Sequence, residues 1–245
     1  AAALASAGSF GPVLAADGGE PSSRLMVGVG AALQQQAYEG IDADILPLPL
    51  ISYENRWIAV GVPSLDFKLL SDGPLRFALR ASYARDGYDA SDAPILAGMD
   101  KRKDSFWGGA ALRWDAGIAV LSAQWLTDLS GYSEGQKASL SIERSFTAGR
   151  FIFTPRAGAS WQDSKFIDYY YGVKPSEARA GRPAYTGESS IGFQTGLRTA
   201  YLLNSKQSVF VDAGIELLGR EIEDSPLVDQ AMEYRVMLGY LYRFR

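Results

Sequence analysis

One pattern constrains this chain above all others. Segments of roughly ten residues alternate apolar side chains with small or polar ones, and each ends in a turn. Leu75, Phe77, Leu79, Ala81 and Tyr83 fall on one face, with Arg76, Ala78, Arg80 and Ser82 on the other. Phe106, Gly108, Ala110, Leu112 and Trp114 likewise oppose Ser105, Trp107, Gly109, Ala111 and Arg113. The same period returns at 151–162, 207–217 and 234–244. Period two means strands with a single apolar face. The aromatics sharpen this, because Phe106 and Trp114, or Phe151 and Trp161, stand at the ends of those faces with aliphatics and alanines between them. A soluble sandwich places its largest side chains mid-core, whereas a bilayer-spanning barrel places them at the two interfaces. The opposite face carries Arg, Ser, Gln, Glu and Gly, which suits a water-filled or plugged lumen.

The expected fold is therefore all-β: an antiparallel transmembrane barrel with short periplasmic turns and long extracellular loops. Strands are read at 23–35, 45–54, 75–85, 105–114, 118–127, 137–147, 150–163, 189–203, 207–218 and 231–244. The stretch 57–71 is either one bulged strand or two short ones. An even count returns both termini to the periplasm, so it is split into 57–62 and 65–71, giving twelve strands; ten remain if a segment fails to span. No apolar run is long enough for a transmembrane helix. Residues 1–16, AAALASAGSFGPVLAA, carry no charge and resemble the tail of a secretory signal peptide; a mature but mobile N-terminus is the alternative. The chain divides into this segment, 1–22, and a barrel, 23–245.

Composition narrows function. The chain has neither histidine nor cysteine, which removes imidazole and thiolate from both catalysis and metal binding. No enzyme, metal site or cofactor is expected. A net charge of −4 without a basic block argues against nucleic acid.

By alternation Arg76, Arg80, Arg113, Arg156, Arg198 and Arg235 point into the lumen, with Glu143, Asp212 and Glu216 against them. Two readings stand: a lattice of ion pairs that stabilises the interior, or a narrow conduit favouring small or anionic solutes. In Leu46-Pro47-Leu48-Pro49-Leu50 both prolines withhold donors from one seam. That seam is either weakened, bending the wall or meeting a partner, or it only curves a barrel corner. Tyr169, Tyr170 and Tyr171 open the long loop 164–188, which also holds Tyr185; these rings stack on sugars, contact a partner, or pack a lid. The acidic residues Asp86, Asp89, Asp92, Asp100 and Asp104, and Glu221, Glu223, Asp224 and Asp229, read as solvated surface, or as carboxylates binding cations that bridge lipopolysaccharide.

Several short motifs, in order, carry a resemblance to a known family. They are Tyr38-Glu39-Gly40 before Leu46-Pro47-Leu48-Pro49-Leu50; Tyr170-Tyr171-Gly172-Val173 with Ala178, Gly181 and Pro183-Ala184-Tyr185; Asp224-Ser225-Pro226-Leu227-Val228; and Tyr242-Arg243-Phe244. From Leu25 to Phe244 the chain resembles the MipA/OmpV family of Gram-negative outer-membrane proteins, named for an MltA-interacting protein. The resemblance implies an outer-membrane location in the cell envelope. It also implies a non-enzymatic scaffold that tethers a lytic transglycosylase and a murein synthase. Tyr240, Tyr242 and Phe244 match the terminal signal read by the barrel-assembly machinery, although Arg245 follows the final aromatic. The rivals are a porin-like conduit and an adhesin acting through the outer loops.

Overall fold

The computed structural model describes residues 23–71 and 73–244. Thirteen strands form one antiparallel sheet: β1 (Arg24–Gln35), β2 (Asp44–Glu54), β3 (Ile58–Gly61), β4 (Ser64–Leu70), β5 (Leu75–Ala84), β6 (Ser105–Asp115), β7 (Val120–Asp128), β8 (Gln136–Glu143), β9 (Phe146–Ala148), β10 (Phe151–Gln162), β11 (Ser190–Leu202), β12 (Gln207–Leu217) and β13 (Met232–Arg243). β1 pairs with β13 from Met26↔Arg243 to Gln35↔Tyr234, so the sheet closes. β8 and β9 both lie on β10 and share one place in the wall, which leaves a twelve-stranded barrel. The stretch 57–71 is indeed two short strands. Among the described residues no helix is long and apolar enough to cross a membrane.

Outward positions are the apolar ones, and they stay exposed: Val29 is 69% accessible, Phe193 60% and Leu238 59%. A closed ladder satisfies the backbone, and the apolar exterior supplies the face that lipid requires. Two glycines show how the interior is fitted. A Cβ on Gly196 would meet Arg156 Nη2 at 2.7 Å, and one on Gly239 would meet the Phe210 ring at 2.5 Å. Each lets a large neighbour lie across the lumen.

The break between β8 and β9 has a sequence cause. Arg144 donates its N–H to the Pro155 carbonyl at 3.3 Å, so Pro155 turns its backbone toward that side. Lacking an N–H there, Pro155 cannot continue the ladder, and the opposite chain interrupts at 144–145.

The interior departs from the expected polar, glycine-rich face. Ala32, Leu50, Ile152, Ala200, Phe210, Met237 and Leu241 all point inward and form a buried apolar cluster that runs from the turn-side half to the middle of the lumen. The long loops are also more structured than surface loops. Loop 163–189 contains α1 (Ser164–Tyr171), capped by Asp163, whose side chain accepts from the Phe166 N–H. Loop 218–231 contains α2 (Arg220–Glu223).

Candidate functional site

Two assemblies occupy the barrel: a lattice of charges on the lumen wall and a folded lid over the loop-side mouth. The lattice comes from period two, which sends every second residue inward. Arg80 grips Asp66 through two bonds of 2.7 Å each and reaches Gln124 at 2.8 Å. Arg113 meets Glu143 at 2.8 Å. Arg156 binds Asp212 at 3.0 and 2.6 Å, and Arg198 donates Nε to the same carboxylate at 2.8 Å. Lys68 pairs with Glu54 at 2.5 Å. Planar guanidinium groups match carboxylates in this forked geometry.

The remaining inward residues stand outside these ion pairs. Glu216 accepts from Ser160 Oγ at 2.8 Å, and its cross-strand partner Glu233 accepts the Ala37 N–H at 3.1 Å. Arg235 lies within electrostatic reach of Asp212, Arg156, Arg198 and Glu216, yet makes no hydrogen bond or ion pair among the described residues. Arg76 sits exposed at the turn-side rim, cross-strand from Arg113, and makes no hydrogen bond or ion pair among the described residues.

The lid is a second hydrophobic core. Tyr38, Leu96, Trp107, Leu126, Ile167, Tyr170, Tyr171 and Leu227 are all at most 1% exposed within one cluster drawn from four of the long loops and the strand ends beneath them. Tyr38 stacks on Tyr171 at 5.3 Å and donates its hydroxyl to the Tyr170 carbonyl at 3.1 Å. Tyr170 Oη lies 3.1 Å from Ser105 Oγ and donates to the Lys103 carbonyl. Tyr185 donates to the Glu221 carbonyl at 2.6 Å. Tyr169 is half-buried, and its hydroxyl accepts the Lys103 N–H. Tyr170 and Tyr171 therefore offer no ring to an external sugar or partner.

An ion-pair knot ties the lid together. Arg102 and Glu177, both 3% exposed at the side chain, form a two-pronged bridge at 3.1 and 2.9 Å. Glu177 also accepts the Asp100 and Lys174 N–H groups at 2.9 and 3.0 Å. Burial alone would raise this carboxyl, but the Arg102 bridge and the two backbone donors outweigh it and pull its pKa down to about 2. Arg182 spans the loops, donating to the carbonyls of Ile95, Ala97 and Glu177.

Asp86 corrects the reading of its loop as solvated surface. It is 1% exposed beneath the lid, where it accepts from Trp107 Nε1 at 3.2 Å and faces Lys137 Nζ at 3.4 Å. Lys137 in turn lies 3.9 Å over the Trp107 ring. The Arg102–Glu177 knot and the Asp86–Lys137 pair escaped sequence reasoning, since each joins residues from separate loops or strands. At the chain's end Tyr242 and Phe244 pack edge-on at 4.8 Å, and Phe244 is half-exposed. The signal-like segment 1–16 lies outside the described residues.

The motif groups around Tyr38, Tyr170 and Ser225 converge on this lid, whereas Leu46 to Leu50 lie on β2 and Tyr242-Arg243-Phe244 at the turn-side end of the last strand. Tyr38 bridges Val228, Glu39 donates to the Leu227 carbonyl, Val173 bridges Tyr185, and Ser225 Oγ donates to the Tyr171 carbonyl at 2.7 Å.

Comparison with known proteins agrees. The family model described as MltA-interacting protein MipA matches residues 27–244. The "Putative outer membrane protein YiaT" of Escherichia coli K12 is 29% identical over 226 residues, 91% of this chain and 92% of that one. The "MltA-interacting protein" of the same organism is 26% identical, covering 90% of each. The "Outer membrane protein OmpV" of Vibrio cholerae is 30% identical over 64% of this chain and 61% of its own. Among solved structures the NanC porin aligns over 88% of this chain and 98% of its own, with a TM-score of 0.48 at 10% identity. The protein is a bacterial outer-membrane β-barrel, and it belongs to the MltA-interacting protein (MipA) family.

Proposed function

We propose that this barrel is a non-enzymatic, non-conducting scaffold that holds an envelope enzyme of peptidoglycan remodelling against its periplasmic rim. The observation that carries this reading is the charge at the turn end. Arg56, Arg76, Arg144, Arg150 and Lys206 are all exposed there, and Asp115 is the one exposed carboxylate among the described turn residues. Short turns face the periplasm in barrels of this kind, so the collar is presented to soluble envelope proteins. Such a collar steers an acidic surface toward it and holds it in a salt-sensitive way. A relative named MltA-interacting protein supports the choice of partner, and the missing histidine and cysteine support a role without chemistry.

Lipopolysaccharide around the loop end, and the barrel-assembly machinery acting on Tyr240, Tyr242 and Phe244, complete the partners in this reading. The test is co-purification of a lytic transglycosylase with the full chain from envelopes. Arg56→Glu with Arg150→Glu is expected to lower recovery several-fold, as is raised salt. Undiminished recovery with the reversed collar would sink this account of docking.

A narrow anion conduit is the second reading, and Arg235 favours it. Its guanidinium stands near two other arginines with its donors uncommitted among the described residues. A lumen-filling apolar cluster and a closed lid weigh against it.

A further inference from the structure

The proline-alternating strand β2 borders an opening in the barrel wall. Its seam with β3 holds only three pairs, Ser52↔Gly61, Tyr53↔Val60 and Glu54↔Ala59, and ends with the Val62 N–H on the Ile51 carbonyl at 3.4 Å. Above that point the β3–β4 hairpin has already turned, and Pro63 passes its carbonyl to the Tyr83 N–H on β5. Among the described residues, the upper half of β2, Asp44 to Leu50, thus has β1 on one side and no strand on the other. From β2 to β5 the gap is three strand spacings, about 14 Å. The lid roofs it, since a Cβ on Gly40 would touch Pro94 Cδ at 3.5 Å and Ala93 Cβ at 3.7 Å.

The prolines fall on the free edge. Backbone groups of alternate residues point to the same side, and Ile51 points toward β3. Ile45, Pro47 and Pro49 therefore face the gap, and two of the three N–H groups that would stand there are deleted. Such an edge cannot add a strand from another protein, which needs donors and acceptors in alternation. It is also the cheaper edge to present to hydrocarbon, because under-satisfied carbonyls are better tolerated than orphaned N–H groups.

The side chains point the same way. The lumen face carries charged and small polar residues on many strands, but on the upper half of β2 it carries only Leu46, Leu48 and Leu50, continuous with the inward apolar cluster. The outer face carries Ile45, Pro47, Pro49 and Ile51, all exposed. Apolar surface thus runs from the lipid side, around a donor-poor edge, onto the lumen side. There Leu48 and Leu50 join the cluster of Phe210, Met237 and Leu241.

We propose that this window admits an acyl chain of an outer-leaflet lipid, which lies across the free edge of β2 onto Leu46 and Leu48. The site is independent of the periplasmic collar. Its occupant is identified by chemistry: an unbranched hydrocarbon chain, which needs no hydrogen bond from the edge it crosses.

Because the chain has no native cysteine, single spin labels test the window in reconstituted liposomes. Labels at Leu48→Cys and, independently, Leu46→Cys are compared with Val29→Cys on the lipid face. Ser139→Cys serves as the inward control in a wall paired on both sides. Heat-modifiable gel mobility establishes that each variant is folded. Collision with oxygen, which partitions into hydrocarbon, is expected to exceed collision with a water-soluble nickel chelate at Leu48 and Leu46, as at Val29. That ratio should be several-fold higher than at Ser139. A nickel-favoured label would make the window a water passage and overturn the proposal. A label shielded from both reagents until residues 1–22 are deleted would assign the site to the chain's own N-terminal segment, and overturn it equally.

Discussion

Glu177 shows how a single residue governs the lid. Its carboxylate receives Arg102 and two backbone donors, and its pKa falls from 4.5 to about 2. A depressed carboxyl stabilises the folded form above its unfolded pKa, and that contribution fades as pH drops from about 4.5 toward 2. Lid packing, followed through Trp107 fluorescence, is therefore expected to loosen across that acid window while the strand signal in circular dichroism holds. Glu177→Gln should remove the acid step and loosen the lid at neutral pH. Breaking one side of a buried pair costs about 3–5 kcal/mol, because Arg102 is left uncompensated. An acid profile shared by wild type and Glu177→Gln would assign the transition elsewhere. Deeper in the lumen Gly239 bears on the Phe210 ring. Gly239→Val is expected to destabilise the barrel by about 1–3 kcal/mol through overpacking, read as a lower temperature of gel-mobility conversion; Ala81→Val on the lipid face should leave that temperature unchanged.

At the scale of elements, prolines explain both irregularities in the wall, and they should respond oppositely to replacement. Pro155 faces a neighbour that is present but interrupted at 144–145. Pro155→Val supplies an N–H that this neighbour can accept, so amide exchange at Arg144 to Phe146 is expected to slow. Pro49 faces no strand among the described residues, so Pro49→Val adds an orphaned donor at the edge of the window. That costs about 1–3 kcal/mol where the donor is kept from water. Equal effects from the two replacements would contradict the assigned orientations.

Much of this was legible beforehand. Period two located the long wall strands, while the split of 57–71 came from the even count and the break at 144–145 was not foreseen. Arg80, Arg113, Arg156, Arg198 and Asp212, assigned inward by parity, form ion pairs with one another or with neighbouring carboxylates. The two prolines marked their seam, but nothing local said that the seam was empty, because strand registry is a property of pairs. The lid was illegible for the same reason. Asp86 and Glu177 look like ordinary loop acids until Lys137 and Arg102 arrive from distant loops and strands to bury them. The tyrosine run likewise reads equally as bait or as core until Tyr38 is found stacked on Tyr171.

For the whole molecule, we propose that the loops and the lumen together make a barrel sealed along its axis. Its outer mouth carries a buried aromatic core, its lumen holds an apolar cluster from the turn-side half to the middle, and most inward arginines are committed to carboxylates. The charge balance differs between its ends: exposed cations such as Arg56, Arg76 and Arg150 dominate the described turns, whereas at the loops carboxylates such as Asp92, Glu134 and Asp229 outnumber exposed cations such as Lys101 and Lys174. In the reading proposed above, this protein presents surfaces to both sides of a membrane without passing solute between them. Planar-bilayer recording tests that claim most directly. The full chain is expected to insert without a stable single-channel current, and a variant lacking 174–187 from its lid to give a larger, flickering conductance. A steady anion-selective current from the intact chain, reduced by Arg235→Ala, would contradict the sealed barrel and establish the conduit instead.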